Sequence, residues 1–295
     1  MKIAVIGANG QLGTDVADAF AENGDDVCAV THGDVEISNV DSVLESFRAI
    51  RPQVVVNTAA MHHVEKCEAE PEKAYAVNAI GTRNLALAAQ DVGAVLVHVS
   101  TDYVFDGRKG SPYEEDDCPL PLNVYGNSKL AGEHFARTVA EKHFVLRTSA
   151  LYGTSACRGK GGLNFIQLML KLAKEKDELR VVDSEVVSPT STAELARQIV
   201  ALSRSDCYGL YHATAEGSCS WFEFAKTIFA ITETKANLKV AGPNEFPAKV
   251  PRPKYSVLEN RGLKKHGLNK FEPWQSGLRS YLDQLSPALA HAPRV

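Results

Sequence analysis

The sequence has no apolar run near the roughly 18–20 residues that a bilayer-spanning helix needs. A membrane partner is therefore not expected. Nor is there an excess of one charge, since 32 basic side chains face 36 acidic ones. That balance lacks the basic footprint of a nucleic-acid binder, and no nucleic-acid partner is expected. The six cysteines (28, 67, 118, 157, 207 and 219) include no C-x-x-C pair. In a chain of this length they read as reduced thiols, which implies a cytoplasmic protein and not a disulfide framework. Met1-Lys2, Ile3 to Ile6 and then a glycine make a segment too short and too polar-flanked for a signal peptide. Internal repeats and low-complexity segments are missing too. What remains is a globular chain of 295 residues, 44% of them hydrophobic. That is enough for one large or two modest domains with a sizeable core.

Short apolar runs alternate with helical spacings through the first half. Lys2–Ile6, Val27–Val30, Val54–Val56, Ala94–Val99 and Phe144–Arg147 read as strands. Gln11–Glu22, Val40–Ile50, a long helix after Pro71, and Tyr125–Glu141 read as helices. This alternation predicts βαβ units, hence an α/β fold with a doubly wound parallel sheet. After about residue 150 the pattern weakens. A flexible Gly159–Gly162 loop, helices over 165–174, 192–202 and 221–231, and short strands at 181–182 and 210–212 are expected. Prolines 243, 247, 251 and 253 make 242–256 mostly extended loop. The expected division is a dinucleotide-binding domain over 1–150 and a smaller substrate-binding region over 151–295. Some segments of about 181–212 would return to the sheet.

Gly7-Ala8-Asn9-Gly10-Gln11-Leu12-Gly13 follows the first strand and opens the first helix. Glycine allows a positive φ and close backbone approach, and the helix N-terminus offers N–H groups to a pyrophosphate. The spacing is G-x-x-G-x-x-G, not the commoner G-x-G-x-x-G. At the end of the second strand, an acidic residue binds the ribose 2′-hydroxyl of NAD, and a basic one favours the 2′-phosphate of NADP. Thr31-His32 stands there, with neither a carboxylate nor an arginine. Thr31 could donate to a phosphate and His32 could approach it, or both are plain loop residues; the lack of an aspartate tilts the reading slightly towards NADPH over NADH.

Tyr125 and Lys129 lie four residues apart, on one face of a helix. A free phenol titrates near 10, too high for acid–base work at neutral pH, and a nearby ammonium lowers it. Ser100-Thr101-Asp102, at the end of the fourth strand, would present a hydroxyl to the same crevice. Together Thr101, Tyr125 and Lys129 make a site that polarises a carbonyl. Tyr125 gives the proton and Thr101 hydrogen-bonds the oxygen.

These residues resemble the extended short-chain dehydrogenase/reductases, and within them the dTDP-4-dehydrorhamnose reductase family. The matching stretches run almost end to end: Gly7–Gly13, Arg51–Ala60, Val64–Glu68, Ser100–Gly107, Pro121–Glu133, Arg147–Ser149, Ser188–Thr190 and Arg252–Ser256. The resemblance implies a Rossmann-like fold and NADPH- or NADH-dependent reduction of the 4-keto group of a dTDP-linked 6-deoxysugar, giving dTDP-L-rhamnose for surface polysaccharide. It places cofactor contacts on Gly10, Gln11, Leu12, Glu36, Ile37, Ala59, Ala60 and Met61. Catalysis falls on Thr101, Tyr125 and Lys129, with Asp102 and His62 near the sugar. A homodimer is implied, and some members hold Mg²⁺ between subunits. The family's tryptophan after Arg-Thr-Ser is Ala150 here, its Asp-Gln pair is Ser184-Glu185, and its Ala-Tyr-Thr stretch is Met61-His62-His63. All three fall where the sugar would lie.

Other readings stay open. Dehydratases of the superfamily carry a glutamate where Tyr103 stands, so dehydration is not expected. Epimerases use the same tyrosine and lysine, although the Thr-Asp-Tyr-Val-Phe run favours a reductase. A regulatory subunit is the alternative of a different class, because one branch resembles the NADP-binding partner of methionine adenosyltransferase. The intact Thr101, Tyr125 and Lys129 favour the enzyme. Adjacent His62 and His63 do not suit a single zinc, and no metal ligand is assigned. The acidic run Glu114–Asp117 reads as a solvated loop, and Trp221, Phe222, Phe224 and Phe229 as core.

Overall fold

The computed structural model describes residues 1–156, 162–242, 245–246 and 248–290. Most of the expected 159–162 loop, with Cys157, Pro243 and Pro247, lies outside the described residues. In chain order the strands are β1 (Lys2–Ile6), β2 (Asp26–Val30), β3 (Val54–Asn57), β4 (Val95–Thr101), β5 (His143–Thr148), β6 (Leu151–Tyr152), β7 (Leu179–Val181), β8 (Val186–Val187), β9 (Thr190–Ser191), β10 (Gly209–His212), β11 (Cys219–Ser220) and β12 (Leu238–Val240). The helices are α1 (Gln11–Glu22), α2 (Val40–Ile50), α3 (Val64–Ala69), α4 (Pro71–Tyr75), α5 (Thr82–Val92), α6 (Val124–Val139), α7 (Phe165–Glu175), α8 (Thr192–Ser203), α9 (Trp221–Ile231), α10 (Arg261–Lys265) and α11 (Trp274–Ala290).

Six strands form one sheet in the order β10-β5-β4-β3-β1-β2, with every neighbour parallel. The strands are apolar throughout because alternate residues enter two different cores. Ile3 and Val5 of β1, Val54 and Val56 of β3, and Phe144 and Leu146 of β5 pack with α1 and α8. Ala4 and Ile6, Val55, and Val145 face the other way, onto α2, α5 and α6. The chain leaves β1 towards β2 on one side and returns to β3 on the other. That reversal is the switch point where open α/β sheets bind ligands, at the carboxyl ends of the strands. The Gly7 loop and the segment after β3 meet there.

The C-terminal part has its own core of Tyr152, Phe224, Trp274 and Tyr281 with α7 and α9. Phe224 and Phe229 are buried, and Trp221 and Phe222 pack against them. Of the 181–212 stretch, only Gly209–His212 joins the main sheet, beside β5. The strand expected at Val181 pairs instead with β12.

Two expectations need correction. The long helix after Pro71 is divided: Ala76–Gly81 between α4 and α5 is a π-helical stretch. A Cβ on Gly81 would lie 2.8 Å from the Ile37 side chain, so the wide turn fits around the loop that follows β2. The acidic run stays at the surface, with the Asp116 side chain 85% exposed, but it is more than a solvated loop. Glu114 and Asp116 pair with Arg261, Asp117 pairs with Lys109, and Glu115 accepts from the His212 and Gly262 amides. Opposite charges brought from residue 261 dock α10 onto the N-terminal half.

Candidate active site

The glycine loop has the geometry of a phosphate cradle. Gly7 has φ +79°, and a Cβ there would come within 3.0 Å of the Ala59 amide nitrogen. A Cβ on Gly13 would sit 2.1 Å from the Gly7 carbonyl oxygen, so only glycine lets α1 start this close to β1. Gly10 caps α1 with no side-chain hydrogen bond, which leaves first-turn amides available to an anion. These features fit a dinucleotide pyrophosphate. Around them, Leu12 is buried in the core, and the Gln11 side chain holds the Gly153 and Ser155 carbonyls. Both therefore face the loop through their backbone alone. Ile37 is buried, and its carbonyl accepts from Asn84. Glu36 accepts from the Ser38 amide and hydroxyl. At the end of β2, the Thr31 amide and hydroxyl both donate to Asp34 Oδ2, at 2.8 and 2.6 Å.

On the far side of the switch point, Asn57 Oδ1 accepts from the Ala59 amide, and Ala60 and Met61 continue half-buried. Asn78, in the π-helical stretch, holds Met61 at both ends: its Oδ1 accepts from the Met61 amide at 2.9 Å, and its Nδ2 donates to the carbonyl at 3.0 Å. Nδ2 also reaches the Ser128 hydroxyl at 2.9 Å, and Ser128 donates to the Tyr125 carbonyl. One buried amide thus ties the Ala59–Met61 segment to the helix that carries Tyr125. Sequence reasoning missed Asn78, although a single polar side chain within the apolar stretch Ala76–Gly81 was a signal. His62 lies half-buried between Met61 and α3, and His63 accepts from the Lys66 amide as the N-cap of α3.

Asn123 caps α6 by accepting from the Gly126 amide, and this cap starts the helix one residue before Tyr125. The structure brings Thr101, Tyr125 and Lys129 together. The Thr101 hydroxyl lies near enough to the Tyr125 phenol to favour its ionised form. It donates to Asp102 Oδ1 at 3.1 Å and accepts from the Tyr103 amide. Asp102 is buried, and its Oδ2 accepts from Ser149 at 2.9 Å and from Ser256. Burial pushes the Asp102 carboxyl up, and the three hydroxyls oppose that rise. Asp102 therefore orients Thr101 and clasps the C-terminal segment. Ala150, just beyond, has the left-handed φ of +44°.

Lys129 is 2% exposed, and its Nζ donates to the Val99 carbonyl at 2.7 Å, with His98 Nε2 at 3.5 Å. His98 in turn meets Asn57 Nδ2 through Nδ1. Burial brings Lys129 down to about 8, with Glu133 opposing the shift. The expected lowering of the Tyr125 pKa by Lys129 is not found. Burial pushes the phenol well above its usual value, Thr101 offsets part of that, and Asp102 and Cys67 add to it. The ammonium is engaged by Val99 and leaves burial dominant at the phenol.

The low Lys129 value carries a stability prediction for the cofactor-free protein. Between about pH 8 and the unfolded value of 10.5, the unfolded chain binds a proton that the folded chain does not. Stability contributed by this residue therefore rises with pH across that window. Below it the buried charge costs on the order of 3 kcal/mol. Lys129→Met is expected to raise the urea midpoint at pH 7 and to flatten the rise between pH 8 and 10, while impairing turnover.

Residues 251–256 close the site from the C-terminal side. Asn123 donates to the Pro251 carbonyl, Arg252 pairs with Glu65, and Gly107 packs where a Cβ would strike Pro253. Tyr103 stacks edge-on against Tyr125 at 5.6 Å and lies in the field of Arg252 and Glu185.

A doubly wound parallel sheet, a glycine loop after β1 and a Tyr-x-x-x-Lys helix beside a threonine after β4 define a Rossmann-type protein of the short-chain dehydrogenase/reductase kind. Residues 1–286 match the family described as RmlD substrate binding domain, and the chain belongs to that family. It is 40% identical to the spore coat polysaccharide biosynthesis protein SpsK of Bacillus subtilis, over 97% of this chain and 99% of that protein. A crystal structure of a dTDP-4-dehydrorhamnose reductase from Clostridium acetobutylicum superposes with a TM-score of 0.92 at 41% identity, covering 97% of this chain and 99% of the other. The Bacillus anthracis dTDP-4-dehydrorhamnose reductase, solved in complex with NADP, gives 0.91 at 39% identity, covering 96% and 99%.

Proposed function

We propose that the chain reduces the 4-keto group of a dTDP-linked 6-deoxysugar with NADPH or NADH, converting dTDP-4-dehydrorhamnose to dTDP-L-rhamnose. The observation that carries this reading is the Thr101–Tyr125–Lys129 cluster at the carboxyl ends of the strands, beside the glycine cradle. Full-length similarity to proteins named dTDP-4-dehydrorhamnose reductase supports the substrate. Gly7 and Gly10 shape the loop, Gln11, Leu12 and Gly13 hold the dinucleotide pyrophosphate through first-turn backbone amides, and Ala59, Ala60 and Met61 line its path. When bound, the reduced nicotinamide supplies the hydride. Thr101 hydrogen-bonds the sugar carbonyl, and Tyr125 gives its proton to the oxygen that becomes the C4 hydroxyl. Lys129 steadies the phenolate left behind. His62 and Ala150 border the sugar, and residues 151–295 grip the nucleotide. The working form is a homodimer in the cytoplasm, checked by light scattering.

The test is oxidation of NADPH and of NADH by the purified chain with dTDP-4-dehydrorhamnose, with and without Mg²⁺. Formation of dTDP-L-rhamnose is expected. Turnover of neither cofactor with this sugar sinks the substrate assignment.

A further inference from the structure

The loop that follows β2 lies against the glycine cradle, since the Val30 carbonyl accepts from the Gly7 and Ala8 amides at 2.9 and 3.2 Å. In sheets of this order the residue here meets the adenosine ribose. No acid stands at Thr31 or His32, but three residues on, Asp34 folds back to fill that place. Its Oδ2 accepts from the Thr31 amide and hydroxyl, so the turn holds the carboxylate at the strand end and leaves Oδ1 as an acceptor.

We propose that Asp34, held by Thr31, binds the adenosine ribose hydroxyls and makes this chain prefer NADH to NADPH. The surroundings agree. Thr31–Asn39 contains no lysine or arginine, and its other acid is Glu36. Its one basic candidate, His32, points its Nδ1 at Glu36, 3.5 Å away. A 2′-phosphate placed here meets a carboxylate and finds no guanidinium or ammonium within the loop. The two Thr31 hydrogen bonds also hold the Asp34 carboxyl below the usual aspartate range, so the charge persists at neutral pH. The NADP seen with the Bacillus anthracis protein belongs to that protein. The preference argued here rests on a carboxylate of this chain.

The inference rests on the dinucleotide reading of the glycine loop but not on the identity of the sugar. Its test is direct binding, by calorimetry, of NADH and NADPH to the full chain without sugar. Wild type is expected to bind NADH at least about tenfold tighter, a difference of ~1.4 kcal/mol. Asp34→Asn should shrink that ratio by improving NADPH, and Asp34→Arg should invert it. Because Asp34 is exposed, thermal melting of both variants should match wild type, which separates specificity from folding. Equal or tighter NADPH binding by wild type overturns the proposal, as does an unchanged ratio in Asp34→Asn. If neither dinucleotide binds, the cofactor reading falls and this inference with it.

Discussion

Tyr125→Phe is expected to lower kcat by about 10²–10⁴-fold, the usual contribution of a positioned general acid, while dinucleotide affinity stays within twofold or so of wild type. The site holds two phenols in ring contact, so the choice of acid has to be argued. Tyr125 lies beside Thr101, which favours its ionised form, and one turn before Lys129 on α6. Tyr103 lies among Asp102, Glu185 and Arg252, and its phenol is also raised by burial. Tyr125 is thus the phenol that shares a helix turn with Lys129 and stands beside the Thr101 hydroxyl, whereas Tyr103 faces Glu185 and Arg252. Tyr103→Phe should therefore cost far less in kcat and show mainly in KM. Stopped-flow turnover of both variants, beside dinucleotide titrations, separates the roles. The pH profile adds a second check. Burial keeps the Tyr125 phenol protonated through the neutral range, so kcat should not fall from loss of that proton until alkaline pH. An active Tyr125→Phe protein would sink the mechanism.

Legibility in the sequence followed how local each cause was. Helices α1, α2 and α9 were bounded to the residue because an amphipathic spacing met a clear end, such as the capping box of Ser220 and Glu223. The sheet strands were plain because burial on both faces leaves continuous apolar runs. The two-residue strands β6, β8, β9 and β11 left no pattern, since their partners lie elsewhere in the chain. Helix α3 was missed because six residues carry too little periodicity. At the site, Thr101, Tyr125 and Lys129 were legible as motif positions. The groups that orient them were not: Ser256 reaches Asp102 across 154 residues, and Asn78 reaches Ser128 across 50. Asp34 escaped for a subtler reason. Its carboxylate returns to the strand end only through a turn, which spacing along the chain does not reveal.

Glu133→Gln is expected to destabilise the protein by about 3–5 kcal/mol, the cost of breaking a buried ion pair from one side. Glu133 and Arg147 are at most 2% exposed and share three hydrogen bonds, the shortest 2.7 Å. The Arg147 guanidinium has little else: Nη1 has no hydrogen-bond partner among the described residues, and the Phe105 ring lies 5.1 Å away. Removing the carboxylate charge strands that cation where water cannot reach it. The contrast is Asp91→Ala, which breaks the exposed Arg48 pair and should cost about 1 kcal/mol or less. Replacing both buried partners, Glu133→Leu with Arg147→Met, should recover much of the loss, because apolar packing avoids the desolvation of two charges. Urea unfolding of the three variants beside wild type measures all of this. A Glu133→Gln loss no larger than that of Asp91→Ala would mean the pair is not buried as described. The double variant should nonetheless stay slow. Ser100, next to Thr101, donates to Glu133 at 2.5 Å, and Glu133 opposes the burial of Lys129. Restored stability without restored turnover would show that this pair serves the site as well as the fold.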